Sequence, residues 1–197
     1  RPLLWKNRDT DFMRNHVDYV KGERYDFIAV VNSANAYLKE AWMGTNSAGF
    51  ALMNTQSYNL VDVKGDEERG AANGRVIYRA LEVCATVEDF CHFLDTISKP
   101  SDIEANFGVI DAQGGAAMFE VDYYKYVMYD ANNPKDAPYG YIARTNFSFA
   151  GKVNEGAGYV RYMEADQVLM KASATGSITP QFIFNDLSRS FRNRMLD

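Results

Sequence analysis

Cysteine and histidine are scarce in this sequence. Its 197 residues include two cysteines, Cys84 and Cys91, and two histidines, His16 and His92. Residues so few and so dispersed do not form the closely spaced groups that bind zinc, so no metal site is predicted. The two cysteines lie in a sequence of helical character at a spacing that separates them by about 10 Å. Because a disulfide needs Cα atoms within about 7 Å, both are predicted to be free thiols.

An excess of positive charge and a long apolar run are also missing. Lysine and arginine number 21 against 26 aspartate and glutamate, which gives a net charge of −5. Nucleic acid is therefore not expected as a partner, and no run approaches the roughly 20 apolar residues of a membrane span. Glycine-rich sequences that bind nucleotide phosphates are absent, so no cofactor is predicted. The compartment stays open between the cytoplasm and an exported location after removal of a leader, and the sequence is compatible with a homo-oligomer.

Hydrophobic residues, in contrast, are plentiful. They make up 47% of the chain, and aromatic residues make up 14%, which is enough for one sizeable core. Residues 1–197 are therefore predicted to form a single domain. Apolar runs with a period near two predict strands at residues 2–6, 25–32, 36–45, 49–56, 106–111, 116–122, 125–129 and 140–145.

Helical periodicity occurs between the fourth and fifth predicted strands and again after the last one. Helices are predicted from Gly65-Asp66 to Cys84, from the capping box at Thr86 to Pro100, over residues 160–170, and from Thr179-Pro180 through Arg192, Arg194 and Asp197. Strands and helices in this order are typical of an α+β fold in which helices pack on antiparallel sheets.

Ser47 and the two cysteines are the internal candidates for a nucleophile. Ser47 lacks the glycine at position 45 that a nucleophile elbow requires, and it lies in a predicted turn between strands. Cys84 and Cys91 fall on the apolar stripes of their helices. His92 lies about 100° around the helix from Cys91 and so cannot act as its base. All three candidates are predicted to be structural.

Charged side chains interrupt an apolar run at Trp5-Lys6-Asn7-Arg8-Asp9. Burying charges is costly unless they pair, so this segment is either a structural ion pair or part of a functional site. It resembles the Gly-Arg-Asn-x-Asp element near the N-terminal cysteine of the choloylglycine hydrolase and acyl-coenzyme A:6-aminopenicillanate acyltransferase group, which includes penicillin V acylases and belongs to the N-terminal nucleophile hydrolases. Lys6 takes the place of the family arginine, and lysine cannot form arginine's bidentate hydrogen bonds.

Other segments resemble this family in the same order along the chain. Residues 46–54 are similar to an Asn-x-x-Gly-Leu-x-x-x-Asn strand, and residues 106–121 to a pair of strands ending in Glu-Val. Residues 145–147 are similar to the start of Thr-Asn-His-Phe, and residues 159–162 to Ser-x-Arg-Phe. The resemblance covers nearly the whole chain.

The resemblance implies a four-layer αββα sandwich of antiparallel sheets, incomplete at both ends of this chain. It also implies hydrolysis of linear carbon–nitrogen amide bonds, or acyl transfer, with a small acylated amine as substrate and neither metal nor cofactor. The nucleophile would be an N-terminal cysteine upstream of Arg1, whose own α-amine accepts the thiol proton. The 197 residues alone are then expected to be inactive.

The resemblance further implies catalytic roles for five residues. Asp9 is expected to orient the amine or the thiol of the cysteine. Asn54 and Asn146 are expected to donate hydrogen bonds to the oxyanion of the intermediate. Arg161 and Lys6 are expected to lower the pKa of the thiol through their positive charge.

Tyr58 and Phe147 are expected to contact the substrate, although aromatic residues also occur commonly in cores. The substrate itself stays open among conjugated bile salts, penicillin V, acyl-homoserine lactones and peptide-like amides. Two alternatives to an amide hydrolase are a non-catalytic binding domain on the same scaffold and a dipeptidase of the same fold, which shares a similar Arg-Asn-x-Asp strand.

Overall fold

A seven-stranded antiparallel sheet forms the centre of the computed structural model, which describes residues 1–62 and 70–190. The strands lie in the sheet in the order of the sequence, so each pairs with the next one along the chain. They are β1 (Asn15–Val20), β2 (Phe27–Asn32), β3 (Met43–Asn46), β4 (Ala51–Gln56), β5 (Ala105–Ile110), β6 (Ala116–Val121) and β7 (Tyr126–Asp130). The predicted α+β class with antiparallel strands is confirmed.

Two helices between β4 and β5 cover one face of the sheet. They are α1 (Asn73–Val83) and α2 (Val87–Thr96). Successive strand residues point to opposite faces, and Leu52 and Phe107 belong to the set that packs with the helices into the main core. The predicted capping box of α2 is confirmed: the Thr86 hydroxyl accepts a hydrogen bond from the Asp89 backbone, and the Asp89 carboxylate accepts one from the Thr86 backbone.

The opposite face of the sheet meets the first residues of the chain and a third helix, α3 (Tyr159–Ala174). A second, smaller core joins α3 to a helical stretch near residue 185, and Trp5 packs against it. This stretch comprises the turns Pro180–Phe182, Ile183–Leu187 and Ser188–Ser190, of which the middle one is π-helical. The helix start predicted at Thr179-Pro180 is confirmed, and the Thr179 hydroxyl caps it.

Two predicted strands are wrong, and a third is correct only in its last residues, 43–45. Residues 2–6 and 140–145 have no regular strand structure, and residues 36–45 contain the end of a 3₁₀ helix, Ser33–Leu38, before β3 begins at Met43. Residues 2–6 cross over the sheet, and their side chains, instead of their backbone, make the contacts with it. Their alternation of apolar residues therefore arises from side-chain packing on two sides and not from strand pairing. The sheet also contains β1, an exposed edge strand that the sequence did not indicate.

Several expectations concern single residues. Cys84 is buried, Cys91 is partly buried, and neither forms a disulfide. The predicted helix start at Gly65 and Asp66, and the extension of the last helix through residues 192–197, lie outside the described residues.

The described part of the chain contains neither a group of histidine, cysteine and carboxylate side chains arranged to hold a metal ion nor a helix of the length and hydropathy needed to cross a bilayer.

Candidate active site

A cavity of about 780 Å³ opens on the face of the sheet that lies away from α1 and α2. Its floor includes Met53, Gly108 and Met118, which are neighbours across β4, β5 and β6. Gly108 lets the side chains of Met53 and Leu4 pack closely there, since a Cβ atom would lie 2.9 Å from the Met53 methyl group and 3.0 Å from a Leu4 methyl group. The walls come from residues 5–10, residues 142–146 and α3.

Lys6 enters the cavity from the first segment of the chain. Its Nζ donates hydrogen bonds to the backbone oxygen of Trp42 and to Oδ1 of Asn54, each at 3.1 Å. Burial lowers the pKa of Lys6 to about 7, and the nearby positive charge of Arg8 adds to the effect. Because Lys6 holds the oxygen of the Asn54 amide, the orientation of that amide is fixed. In the described residues its Nδ2 has no protein acceptor, so the nitrogen is available to a ligand.

Asn146 and Arg161 form a second pair in the cavity wall. Nη2 of Arg161 donates to Oδ1 of Asn146 at 3.0 Å, and Nδ2 of Asn146 donates to the backbone oxygen of Gln56 at 3.0 Å. These bonds tie the loop before α3 to the end of β4. Gly158 precedes α3 with a φ of +85°, and a Cβ atom there would lie 2.9 Å from Nη2 of Arg161. The tight start of α3 therefore brings Arg161 onto Asn146.

Asp9 also lines the cavity, and its carboxylate is exposed. Among the residues that the structure describes, no hydrogen-bond donor or cation binds this carboxylate. An unpaired carboxylate in a cavity can accept hydrogen bonds from a ligand or from an amine that approaches it.

Tyr58 and Phe147, the two aromatic residues expected to contact substrate, lie in different environments. Tyr58 lines the cavity, with 43% of its surface exposed. Phe147 is buried outside the cavity and stacks on Tyr159 with ring centroids 4.1 Å apart. The backbone is extended at Asn146, which bridges to Ala157, so consecutive side chains point in opposite directions.

The internal nucleophile candidates lie away from the cavity. Ser47 is exposed in the turn between β3 and β4, where the Asn46 side chain accepts hydrogen bonds from the backbone of the turn. Cys84 lies in the main core, and burial raises the pKa of its thiol to about 12. A thiol of that pKa is protonated at neutral pH and is a poor nucleophile.

Sequence reasoning missed an ion pair beside the cavity. Nε of Arg144 donates to Oε1 of Glu120 at 2.5 Å, and the two side chains are 4% and 0% exposed. The Glu120 carboxylate also accepts hydrogen bonds from the backbone nitrogens of Phe149 and Ala150. A glutamate within the apolar strand 116–121 was the available sign that a buried cation lies opposite.

A buried network of amides and hydroxyls was missed as well. Nδ2 of Asn106 donates to the backbone oxygens of Thr145 and Phe147, each at 3.1 Å, and Oδ1 of Asn106 accepts from Ser148 at 2.6 Å. Asn59 also bonds to Ser148 through its side chain. Strand β5 thus holds the loop on which Asn146 is presented.

Comparisons with known proteins agree with the earlier resemblance. A family model described as acyl-coenzyme A:6-aminopenicillanic acid acyl-transferase matches residues 3–170. A solved structure of a variant of conjugated bile acid hydrolase from Clostridium perfringens is similar with a TM-score of 0.56 and 10% identity, over 89% of this chain and 71% of that one. Penicillin V acylase from Agrobacterium tumefaciens has a TM-score of 0.44 and 18% identity, over 81% of this chain and 58% of that one. No curated protein matches the sequence.

The likeness to the bile acid hydrolase concerns the fold. That protein has the αββα sandwich of the N-terminal nucleophile hydrolases, in which helices cover the outer faces of two antiparallel sheets. The seven-stranded sheet with α1 and α2 provides one sheet layer and one helix layer of this arrangement. Within residues 1–62 and 70–190, all the strands belong to that one sheet.

Proposed function

Since this chain belongs to the acyl-coenzyme A:6-aminopenicillanic acid acyl-transferase family, whose members are amide hydrolases and acyltransferases, we propose that its cavity is the catalytic site of an enzyme that cleaves linear carbon–nitrogen amide bonds. One observation carries the proposal. Lys6, Asp9, Asn54, Asn146 and Arg161 come from distant parts of the sequence and line the same cavity.

The nucleophile of this proposal is a cysteine at the N-terminus of a segment that precedes Arg1. Its sulfur attacks the amide carbonyl while its α-amine takes the thiol proton. The carbon–nitrogen bond of the tetrahedral intermediate then breaks, and the same proton passes to the leaving amine. Water, or an amine acceptor in a transferase, attacks the resulting thioester and regenerates the cysteine.

Asn54 and Asn146 are the proposed donors to the oxyanion of the intermediate. The bond from Lys6 supports this role for Asn54, because it holds the amide oxygen and leaves the nitrogen to donate. The bond from Arg161 holds the Asn146 amide in the same way. Nδ2 of Asn146 donates to the backbone of Gln56, so it must share or exchange this bond as the oxyanion forms.

Charge supports the remaining assignments. Arg161 is cationic, and Lys6, with a pKa of about 7, is partly protonated at neutral pH; positive charge in a partly enclosed cavity favours the thiolate over the thiol. Asp9 offers its carboxylate to the α-amine of the cysteine. Tyr58 contacts the acyl group from the cavity wall. Phe147 supports the site through its packing on Tyr159, which anchors the loop that carries Asn146.

The test uses the full-length polypeptide, with its mature N-terminus identified by sequencing and its activity measured on a panel of acylated amines. Asp9→Asn is expected to lower kcat/KM by about 100-fold, since an amide cannot orient the amine as a carboxylate does. Asp11→Asn is the matched control, because Asp11 is exposed in the same segment and lies outside the cavity lining. Equal turnover by wild type and Asp9→Asn would refute the role of Asp9.

Other outcomes distinguish the alternatives. A mature N-terminus that is not cysteine, serine or threonine would overturn the hydrolase proposal. Binding of acylated amines without turnover would indicate a non-catalytic binding domain. Release of amino acids from dipeptides, but not from acylated amines, would indicate a dipeptidase. Formation of acyl hydroxamate in the presence of hydroxylamine would favour acyl transfer over hydrolysis.

A further inference from the structure

Within residues 1–62 and 70–190, Arg8 is a cation that is held in place without being neutralised. Its Nε donates to Oδ1 of Asn15 at 3.2 Å, and its Nη2 donates to Oδ1 of Asn32 at 2.6 Å. The guanidinium carbon lies 5.0 Å from the ring centroid of Trp42. Both acceptors are uncharged amides, so they fix the orientation of the guanidinium, and neither of them compensates its charge.

The lining of the cavity is cationic although the chain as a whole has a net charge of −5. Lys6, Arg8, Arg144 and Arg161 line it, whereas Asp9 is the one carboxylate among the described lining residues. The hydrogen-bond acceptors of Lys6, the Trp42 backbone oxygen and Asn54 Oδ1, are also uncharged. Two neighbouring cations without a counter-ion repel each other, and the low pKa of Lys6 reflects this in part.

Arg144 shows how this protein neutralises an arginine that serves its structure. The Glu120 carboxylate binds Arg144 directly, and both side chains are almost completely buried. Arg8 has no such partner in the described residues, and it is only partly buried. The two arginines line the same cavity, so the absence of a carboxylate beside Arg8 is a specific feature of that position.

A guanidinium has five N–H donors, and Arg8 uses one on Nε and one on Nη2. Those two donors form one edge of the planar group. The second edge, formed by Nη1 and the other hydrogen of Nη2, matches the spacing of two carboxylate oxygens. We infer that Arg8 is a specificity-determining residue that binds a carboxylate group of the substrate.

This inference rests on the proposed amide hydrolysis and narrows its substrates to acylated amines that carry a carboxylate. A bound carboxylate would also supply the missing counter-ion between Arg8 and Lys6. It would thereby favour the protonated form of Lys6, whose charge assists the thiolate. Anionic substrates would then promote their own cleavage, whereas neutral amides of the same size would not.

The test compares one pair of substrates that differ only in charge and adds a third substrate with its carboxylate on the other side of the amide. N-octanoylglycine and N-octanoylglycinamide have the same acyl group and nearly the same shape, and adipoyl monobutylamide carries its carboxylate on the acyl side instead. For the full-length enzyme, kcat/KM is measured for each substrate in wild type, Arg8→Gln, Arg8→Lys and Arg14→Gln. Arg14 is exposed in the same segment and lies outside the cavity lining, so its variant removes the same charge without altering the site.

Wild type is expected to prefer at least one carboxylate substrate over the neutral amide. Arg8→Gln should reduce that preference by about tenfold or more, which corresponds to one charge-assisted hydrogen-bonded contact. Arg8→Lys should restore part of it, because charge remains while the second hydrogen bond is lost. Arg14→Gln should retain the wild-type preference. The better of the two carboxylate substrates tells which side of the amide faces Arg8.

Equilibrium binding of the same compounds, followed by calorimetry, separates the inference from the proposed function. Turnover with an unchanged preference in Arg8→Gln would overturn the Arg8 assignment while amide hydrolysis stands. Charge-dependent binding that is lost in Arg8→Gln, without turnover by wild type, would support the carboxylate site and overturn the hydrolase. If Arg8→Gln fails to fold, Arg8→Lys is used instead. A ratio of kcat/KM for the carboxylate substrate over the neutral amide that equals the wild-type ratio in Arg8→Lys would then count against the inference.

Discussion

The two faces of the seven-stranded sheet have opposite chemistry, although the same strands build both. On β4 and β5, Leu52 and Phe107 point toward α1 and α2 and are completely buried. Met53 and Gly108, their neighbours in the sequence, form the floor of the polar cavity. At these four positions, one pair of side chains therefore stabilises the fold and the other pair is left to bind a ligand. Charged groups on the cavity face cost stability that the helix-covered face must supply.

The largest effect that would test this contrast between the two faces is the dependence of the free energy of unfolding on pH, which Lys6 causes. Its pKa of about 7 in the folded protein lies about 3.5 units below the ordinary value of 10.5. Between these pH values the unfolded chain keeps a proton that the folded protein has lost, so the free energy of unfolding rises with pH. The loss of stability caused by burying the charged Lys6 is fully present below pH 7. It amounts to about 5 kcal/mol, at 1.36 kcal/mol per pH unit.

Lys6→Met removes this contribution. We expect urea unfolding between pH 7.5 and 9.5 to show a slope lower than that of wild type by about 1.4 kcal/mol per pH unit. Lys21→Met, at an exposed position, serves as the control and should keep the wild-type slope. If the free energy of unfolding changed with pH equally in wild type and Lys6→Met, Lys6 would be charged in the folded protein across this range. That result would contradict the claim that the cavity face lowers the pKa of Lys6.

A second prediction compares truncations on the two faces. Phe107→Ala leaves a void beside Phe90, whose ring centroid lies 5.9 Å away, and should lower the free energy of unfolding by about 4 kcal/mol. Met53→Ala, on the next strand and the opposite face, removes a partly buried side chain from a cavity that already exists. It should cost about 1 kcal/mol and change the substrate profile. Chemical denaturation of both variants measures their free energies of unfolding. Equal losses of stability in the two variants would refute the predicted difference between the faces.

The smallest predicted effect concerns the start of α2. Thr86→Ala removes the hydroxyl that accepts a hydrogen bond from the Asp89 backbone, and it should cost about 1 kcal/mol in thermal or chemical unfolding. Thr86→Ser should retain most of the stability. Since α2 lies on the face away from the cavity, kcat/KM should stay at the wild-type value in both variants. A loss of activity without a loss of stability would mean that the two faces are coupled.

The accuracy of the sequence-based predictions depended on how local their causes are. Helix α2 was predicted well because its capping box and apolar stripe lie within one short segment. Strands β2, β4, β5 and β6 followed from alternating apolar residues. Residues 2–6 resemble a strand equally well, yet their apolar side chains fill space between the sheet and α3. Periodicity reports which side chains are buried, and it does not report whether the backbone pairs.

The candidate site was predicted in part. The likeness of residues 5–9 to a catalytic element pointed to Lys6 and Asp9, and both line the cavity. Phe147 was expected beside them and instead packs behind the loop, because the direction of one side chain depends on the local backbone. Arg8 and Arg144 could not be told apart from the sequence. The difference between them is a carboxylate, Glu120, that lies 24 residues from Arg144 along the chain.

By itself the sequence determined the family, the alternation that separates core from cavity, and the local caps of the helices. These depend on residue types within a few positions of one another, where chain geometry leaves little freedom. Only the tertiary structure decided that Lys6 bonds to Asn54 across 48 residues and Asn146 to Gln56 across 90. Such contacts depend on strand register and on how a loop crosses the sheet. The same geometry gives Lys6 its low pKa and leaves Arg8 without a counter-ion in the part of the chain that the structure describes.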